Sequence, residues 1–215
     1  MLFDCSRAAE RDRGVSAAID AVKRGDLVVM PTDTVYGIGA DAFKAWAVTA
    51  LQNAKGRGRN VPPPVLVGSR STVDGLAHAL PPVARDLMEA FWPGGLTIIV
   101  EHAPSLSWDL GETHGTVGLR MPLHPIALEV LRETGPMAVS SANTHGKPPA
   151  ATATDAREQF GYSVSVYLDG GTLANSMAST MIDVTGDVPK LLRAGAITLD
   201  ELRKVAPGTL DLEAA

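Results

Sequence analysis

Leu27-Val28-Val29-Met30 runs directly into Pro31-Thr32-Asp33-Thr34-Val35-Tyr36-Gly37-Ile38-Gly39. The four apolar residues read as a buried strand, and the segment from Pro31 to Gly39 reads as a loop crowded with hydroxyls and glycines. Hydroxyls at a strand's carboxyl end can meet a polar ligand, and glycines let the backbone approach it closely. This junction is a candidate for ligand capture.

Upstream, Val15, Ala18, Ile19 and Val22 recur at helical spacing and Gly25 stands where a helix ends. Downstream, Val65 to Val67, Leu96 to Val100, Thr116 to Leu119, Met137 to Ser140, Val164 to Leu168, Thr180 to Val184 and Lys190 to Leu192 are short aliphatic or β-branched runs that predict strands. Helices are predicted at Ala45 to Asn53, Pro82 to Phe91, Pro125 to Glu133, Asp155 to Phe160 and Leu199 to Val205. Pro82 and Pro125 suit first-turn positions, and Thr198-Leu199-Asp200-Glu201 has the form of a capping box. Strands interleaved with helices imply an α/β fold, and the closing strands without intervening helices imply a mixed sheet. The reading is a twisted open mixed sheet flanked by helices, one domain over 1–205, with 206–215 a flexible tail.

The 215 residues, 45% of them hydrophobic, suffice for a sizeable core. Cys5 stands alone, which leaves no internal disulfide framework and no cysteine-rich zinc site, and fits a reducing cytosol. No apolar run approaches the roughly 20 residues of a membrane span, and Met1 to Arg13 has no apolar signal core. The expected address is the cytoplasm. A formal charge of −5 argues against a broad electrostatic grip on nucleic acid, yet Lys55, Arg57 and Arg59 crowd five positions without an acid. A local basic cleft for a small anion fits that distribution.

The Walker pattern is absent, which excludes a P-loop. Gly37-Ile38-Gly39-Ala40-Asp41-Ala42 matches a relaxed dinucleotide fingerprint but begins seven residues beyond Met30, and Asn60 stands where the ribose-binding acid is expected. The five histidines show no paired ligand spacing, and no Ser lies in a nucleophile elbow. His124 reads as part of a turn leading into a helix, and Trp92-Pro93-Gly94-Gly95-Leu96-Thr97 as a helix end, turn and strand start with Trp92 packed. Ser140-Ser141-Ala142-Asn143 has the composition of an ordinary turn as well as of a site. Arg120 and Arg193 each end an apolar strand, on the edge where α/β sites gather if the strands point that way.

Taken in order, Pro31 to Gly39, Lys55-Gly56-Arg57, Trp92 to Thr97, Leu119-Arg120-Met121-Pro122, Ser140 to Asn143, Ser179-Thr180 and Leu192-Arg193-Ala194-Gly195 resemble the YrdC-like family of threonylcarbamoyl-AMP synthases, over about Gly14 to Lys204. The resemblance implies a deep basic cavity and conversion of L-threonine, bicarbonate and ATP, with Mg2+ on the nucleotide, to threonylcarbamoyl-adenylate and pyrophosphate. A threonylcarbamoyl-transferase complex acting on tRNA would then use the product. By matching, Thr32, Arg120, Ser141 and Ser179 contact threonine or its carbamoyl derivative. Lys55, Arg57, Asn143 and Arg193 face the phosphates, with Lys55 and Arg57 stabilising charge in the reaction, and Thr34 and Tyr36 belong to the cavity wall. No nucleophile and no metal ligand is assigned.

Three departures from the family stand out: Gly68 where relatives often place a His, a Lys55 to Pro64 stretch about two residues longer than usual, and an end soon after Lys204, as in the short form of the family. A non-catalytic RNA-binding module using Lys55 to Arg59 is the alternative from another class; it lacks basic-aromatic interleaving. A carbamoyl-transfer domain of the hydrogenase-maturation kind shares the fold but is normally embedded with zinc-finger segments that this chain lacks.

Overall fold

A computed structural model describes residues 1–173 and 177–212. Ten strands, β1 (Leu2–Asp4), β2 (Val28–Met30), β3 (Gly37–Asp41), β4 (Val65–Leu66), β5 (Leu96–Glu101), β6 (Thr116–Arg120), β7 (Met137–Ser141), β8 (Val166–Asp169), β9 (Thr180–Asp183) and β10 (Lys190–Arg193), form one sheet in the order β1-β8-β2-β3-β7-β4-β6-β5-β9-β10. The pairs β1/β8, β2/β8, β4/β6 and β5/β9 are parallel and the others antiparallel, so the sheet is mixed.

Successive strand residues point to opposite faces, and the helices divide accordingly. Val28, Met30, Met137 and Val139 pack with Val15 and Val22 of α1 (Ala8–Arg24) and Ile126 and Val130 of α4 (Pro125–Thr134). Val29, Ala138 and Ile98 face the other way, with Leu51 of α2 (Ala45–Lys55), Leu87 of α3 (Pro82–Phe91), Phe160 of α5 (Ala153–Phe160) and Leu202 of α6 (Leu199–Val205). Burying each such Val, Leu or Ile contributes roughly 1.5–3 kcal/mol, which makes the two-faced core the main support of the sheet.

Helix ends follow the local signals. Pro82 and Pro125 occupy first turns, Thr198 and Glu201 make the predicted capping box, and Thr152 makes a second one with Asp155. His124 is the residue preceding α4, in the turn expected for it.

Three features differ from the sequence reading. Gly37 to Asp41 is a strand rather than loop, because both glycines leave room for the Val139 side chain of β7: a Cβ at Gly37 or Gly39 would stand 2.7 or 2.9 Å from its methyl groups. Leu2–Asp4 adds a short edge strand beside β8. The segment after residue 205 is not frayed where described: Ala206 and Thr209 are buried, and the Leu191 N–H donates to the Leu210 carbonyl at 2.9 Å. The remaining tail, 213–215, lies outside the described residues.

Candidate active site

Each of the segments singled out in the sequence brings at least one residue to the same rim. Thr32 and Thr34 lie between β2 and β3, Thr97 on β5, Arg120 at the end of β6, Ser141 at the end of β7, Ser179 just before β9 and Arg193 at the end of β10. All line one cavity of about 210 Å3, together with Arg57 beyond α2. Leu66, Val139 and Met181 give it an apolar floor, and Val61, Pro62 and Pro64 wall one side.

Arg120 is the most deeply held of the three arginines that line the cavity. Its Nε donates to the Gly94 carbonyl at 2.9 Å, one terminal nitrogen to Thr34 Oγ1 at 2.9 Å, and the other to Asp33 Oδ1 at 2.7 Å. Burial pushes its pKa down while Asp33 opposes the shift; a guanidinium stays protonated regardless. Thr32 Oγ1 donates to the Val35 carbonyl at 2.6 Å and accepts the Thr34 N–H at 3.2 Å, which holds the hydroxyl turn in shape.

Arg193 stands at the mouth. It donates to the Ser179 carbonyl and hydroxyl, and Ser179 Oγ lies 2.8 Å from Thr97 Oγ1. Burial first, then the like charges of Arg120 and Arg57, lower its pKa. Its outer flank is open to water, so that repulsion is partly screened. Arg57 makes no side-chain hydrogen bond or ion pair among the described residues. Gly56, at φ 65°, ends α2 in the left-handed conformation and turns the chain so that Arg57 reaches the cavity.

Lys55, expected at the phosphates, lines a small pocket that adjoins the main cavity and shares Arg57, Val61, Pro62, Pro64 and Ser140 with it. It is almost fully buried, and its ammonium donates to the carbonyls of Ser141 and Asn143 and to Asn143 Oδ1. Burial, then Arg57, push its pKa down to about 7; the three acceptors favour the charged form and work against that shift. Asn143 does not line the main cavity: its Nδ2 donates to the Thr144 and Lys147 carbonyls, and its Oδ1 accepts from Ser141 Oγ at 2.6 Å. Lys55 and Asn143 thus brace the loop that presents Ser141.

Tyr36, expected in the wall, is fully buried behind it. Its hydroxyl donates to the Gly171 carbonyl at 2.7 Å and accepts the Gly170 N–H at 3.1 Å; burial and Asp169 raise its pKa. Arg59 turns away to an exposed pair with Asp109. Trp92 is packed as expected, its Nε1 donating to the Leu96 carbonyl, but the segment it begins also delivers Gly94 O to Arg120 and Thr97 to the cavity. Asp33 and Thr97 are the residues that the local sequence did not single out.

Residues 20–195 match the Sua5/YciO/YrdC family model, which carries the description "Telomere recombination". The chain belongs to the Sua5/YciO/YrdC family. It is 56% identical over 203 residues to a Mycobacterium tuberculosis protein provisionally named as a threonylcarbamoyl-AMP synthase, with 94% of each chain covered. It is 36% identical over 196 residues to the Bacillus subtilis threonylcarbamoyl-AMP synthase, covering 90% of this chain and 57% of that one. The fold superposes with a TM-score of 0.91 and 34% identity on P. abyssi Sua5 complexed with L-threonine, over 98% of this chain and 62% of that one. This family fold is the mixed α/β sheet described above.

Proposed function

We propose that this chain is a threonylcarbamoyl-AMP synthase, a nucleotidyltransferase that joins L-threonine, bicarbonate and ATP. The carrying observation is the convergence of Arg57, Arg120 and Arg193 on one cavity in a chain of net charge −5. The relatives' names and the threonine complex of P. abyssi Sua5 support the amino acid and the adenylate.

The reaction brings mutually repelling groups together. Two unit charges about 4 Å apart interact by roughly 4 kcal/mol at an effective dielectric near 20, so a carboxylate, a bicarbonate and a triphosphate need fixed positive charge. Arg120, set among threonine hydroxyls, faces the amino-acid carboxylate. Arg57 and Arg193 face the phosphates, where a guanidinium can donate two hydrogen bonds to one group. Ser141 and Ser179 supply hydroxyls between the two ends.

The threonine amine adds to the carbon of bicarbonate with loss of water and gives a carbamate. A carbamate oxygen attacks the α-phosphorus of ATP, the bond to the β-phosphate oxygen breaks, and pyrophosphate leaves with its electrons. Positioning and charge stabilisation can carry such a step, and no protein nucleophile is assigned. Mg2+ would be held on the phosphate oxygens of the nucleotide and neutralise part of their charge. The mixed anhydride is an activated acyl donor for a threonylcarbamoyl-transferase complex acting on tRNA. No helix among the described residues is long and apolar enough to cross a membrane.

The test is isotopic. With 13C-labelled bicarbonate, ATP, magnesium and L-threonine, the adenylate formed should carry one label and one threonine by mass spectrometry. A nucleotide product without the label would contradict the proposal.

A further inference from the structure

Asp33 lies outside the cavity lining, yet one of its oxygens ties together two parts of the site. Oδ1 accepts from Arg120 at 2.7 Å and from the backbone N–H of Leu123 at 2.8 Å. The pair is well enclosed, with side-chain exposures of 7% for Arg120 and 16% for Asp33. We infer that Asp33 is a positioning residue for amino-acid recognition: it sets the plane of the Arg120 guanidinium so that the N–H groups it leaves unused meet the ligand's carboxylate. The inference rests on the function proposed above.

A guanidinium is flat and carries five N–H donors. In Arg120 each of the three nitrogens spends one of them, on Gly94, Thr34 and Asp33. Three anchors on three nitrogens fix both the tilt and the rotation of the plane. Two N–H groups remain, one on each terminal nitrogen, the number that a bidentate carboxylate contact requires.

Two effects of removing Asp33 oppose each other. Loss of a negative charge raises the local positive potential, which favours any anion. Loss of the anchor frees the plane, which disfavours only a ligand that needs two aligned donors. Arg57 and Arg193 already supply positive potential to the cavity, whereas Asp33 is the single carboxylate on Arg120 among the described residues. Alignment therefore dominates, and its loss falls on the amino acid rather than on the nucleotide. Both bonds end on Oδ1, so an Asn amide oxygen could still accept them; Asp33→Ala removes the acceptor itself and leaves the Arg120 and Leu123 N–H groups without it.

Calorimetric titration of the full chain with L-threonine and, separately, with a non-hydrolysable ATP analogue tests this, with melting temperature measured alongside. For Asp33→Ala the dissociation constant for L-threonine should rise about tenfold or more, while that for the analogue changes by less than about twofold. Unchanged or tighter threonine binding, or an equal weakening of both ligands, overturns the inference. Should the Ala variant not fold, Asp33→Glu, which keeps the charge and displaces the carboxylate by one methylene, is read on the same two ratios: selective loss of L-threonine supports the inference and a lack of selectivity overturns it. A wild-type chain that binds the analogue but no L-threonine overturns the functional reading itself, and this inference with it.

Discussion

Arg193 grips Ser179 twice, with Nε on the carbonyl at 2.9 Å and a terminal nitrogen on the hydroxyl at 2.8 Å. The contact joins the end of β10 to the start of β9 and leaves the guanidinium without a carboxylate partner among the described residues. Its charge is therefore available to a ligand rather than spent on the fold.

Arg193→Ala should for this reason act on catalysis more than on stability. Losing one charge-assisted contact costs about 2 kcal/mol, roughly 30-fold in kcat/KM for ATP, with the melting temperature lowered by no more than a few degrees. Steady-state pyrophosphate release and a thermal melt together check it; a large loss of stability with unchanged kcat/KM would refute the assignment.

Arg57 and Lys55 are neighbours with opposite expected behaviour. Arg57→Ala removes a cation with no protein acceptor and should lower activity while leaving the unfolding midpoint nearly unchanged. Lys55→Ala strips donors from the Ser141 and Asn143 carbonyls, each unsatisfied buried group costing about 1–3 kcal/mol, and should lower both. Denaturant titration of the two variants distinguishes a ligand contact from a brace.

Stability should also depend on pH through Lys55. Its pKa in the folded chain is depressed from 10.5 to about 7, so between those values the unfolded chain holds a proton that the native chain has released. Stability then rises as pH increases across that window. Chemical unfolding at several pH values should show this slope in the wild type and a shallower one in Lys55→Met.

Gly68→His should destabilise this chain. A Cβ there would lie 2.8 Å from the Arg132 nitrogen and 2.9 Å from the Leu131 carbonyl carbon, both backbone atoms of α4. Overpacking of this kind costs about 1–3 kcal/mol, readable as a drop of several degrees in the melting temperature.

Much of this architecture was legible along the chain. The strands ending in Arg120, Ser141 and Arg193 announced themselves as aliphatic runs, and their polar ends share one rim. Strand β3 did not, because Gly37 and Gly39 carry no strand propensity; they suit the sheet only once Val139 is known to pack over them. Asp33 was hidden for a different reason: its partner lies 87 positions away, and nothing in a run of hydroxyls signals a long-range ion pair. The sequence points Lys55 and Asn143 at the phosphates and puts Tyr36 in the cavity wall, whereas in the structure Lys55 and Asn143 bond to each other and Tyr36 bonds to Gly171 behind the wall; residue type alone does not show such contacts. The apolar, buried setting that makes them appears only when the sheet is assembled.

The proposed chemistry depends most on the cavity gathering an amino acid with the nucleotide before any phosphorus chemistry occurs. Pyrophosphate release from ATP, in the presence of magnesium and bicarbonate, should appear only when L-threonine is added and should match the threonylcarbamoyl-adenylate formed mole for mole. Equal release with and without L-threonine would contradict it.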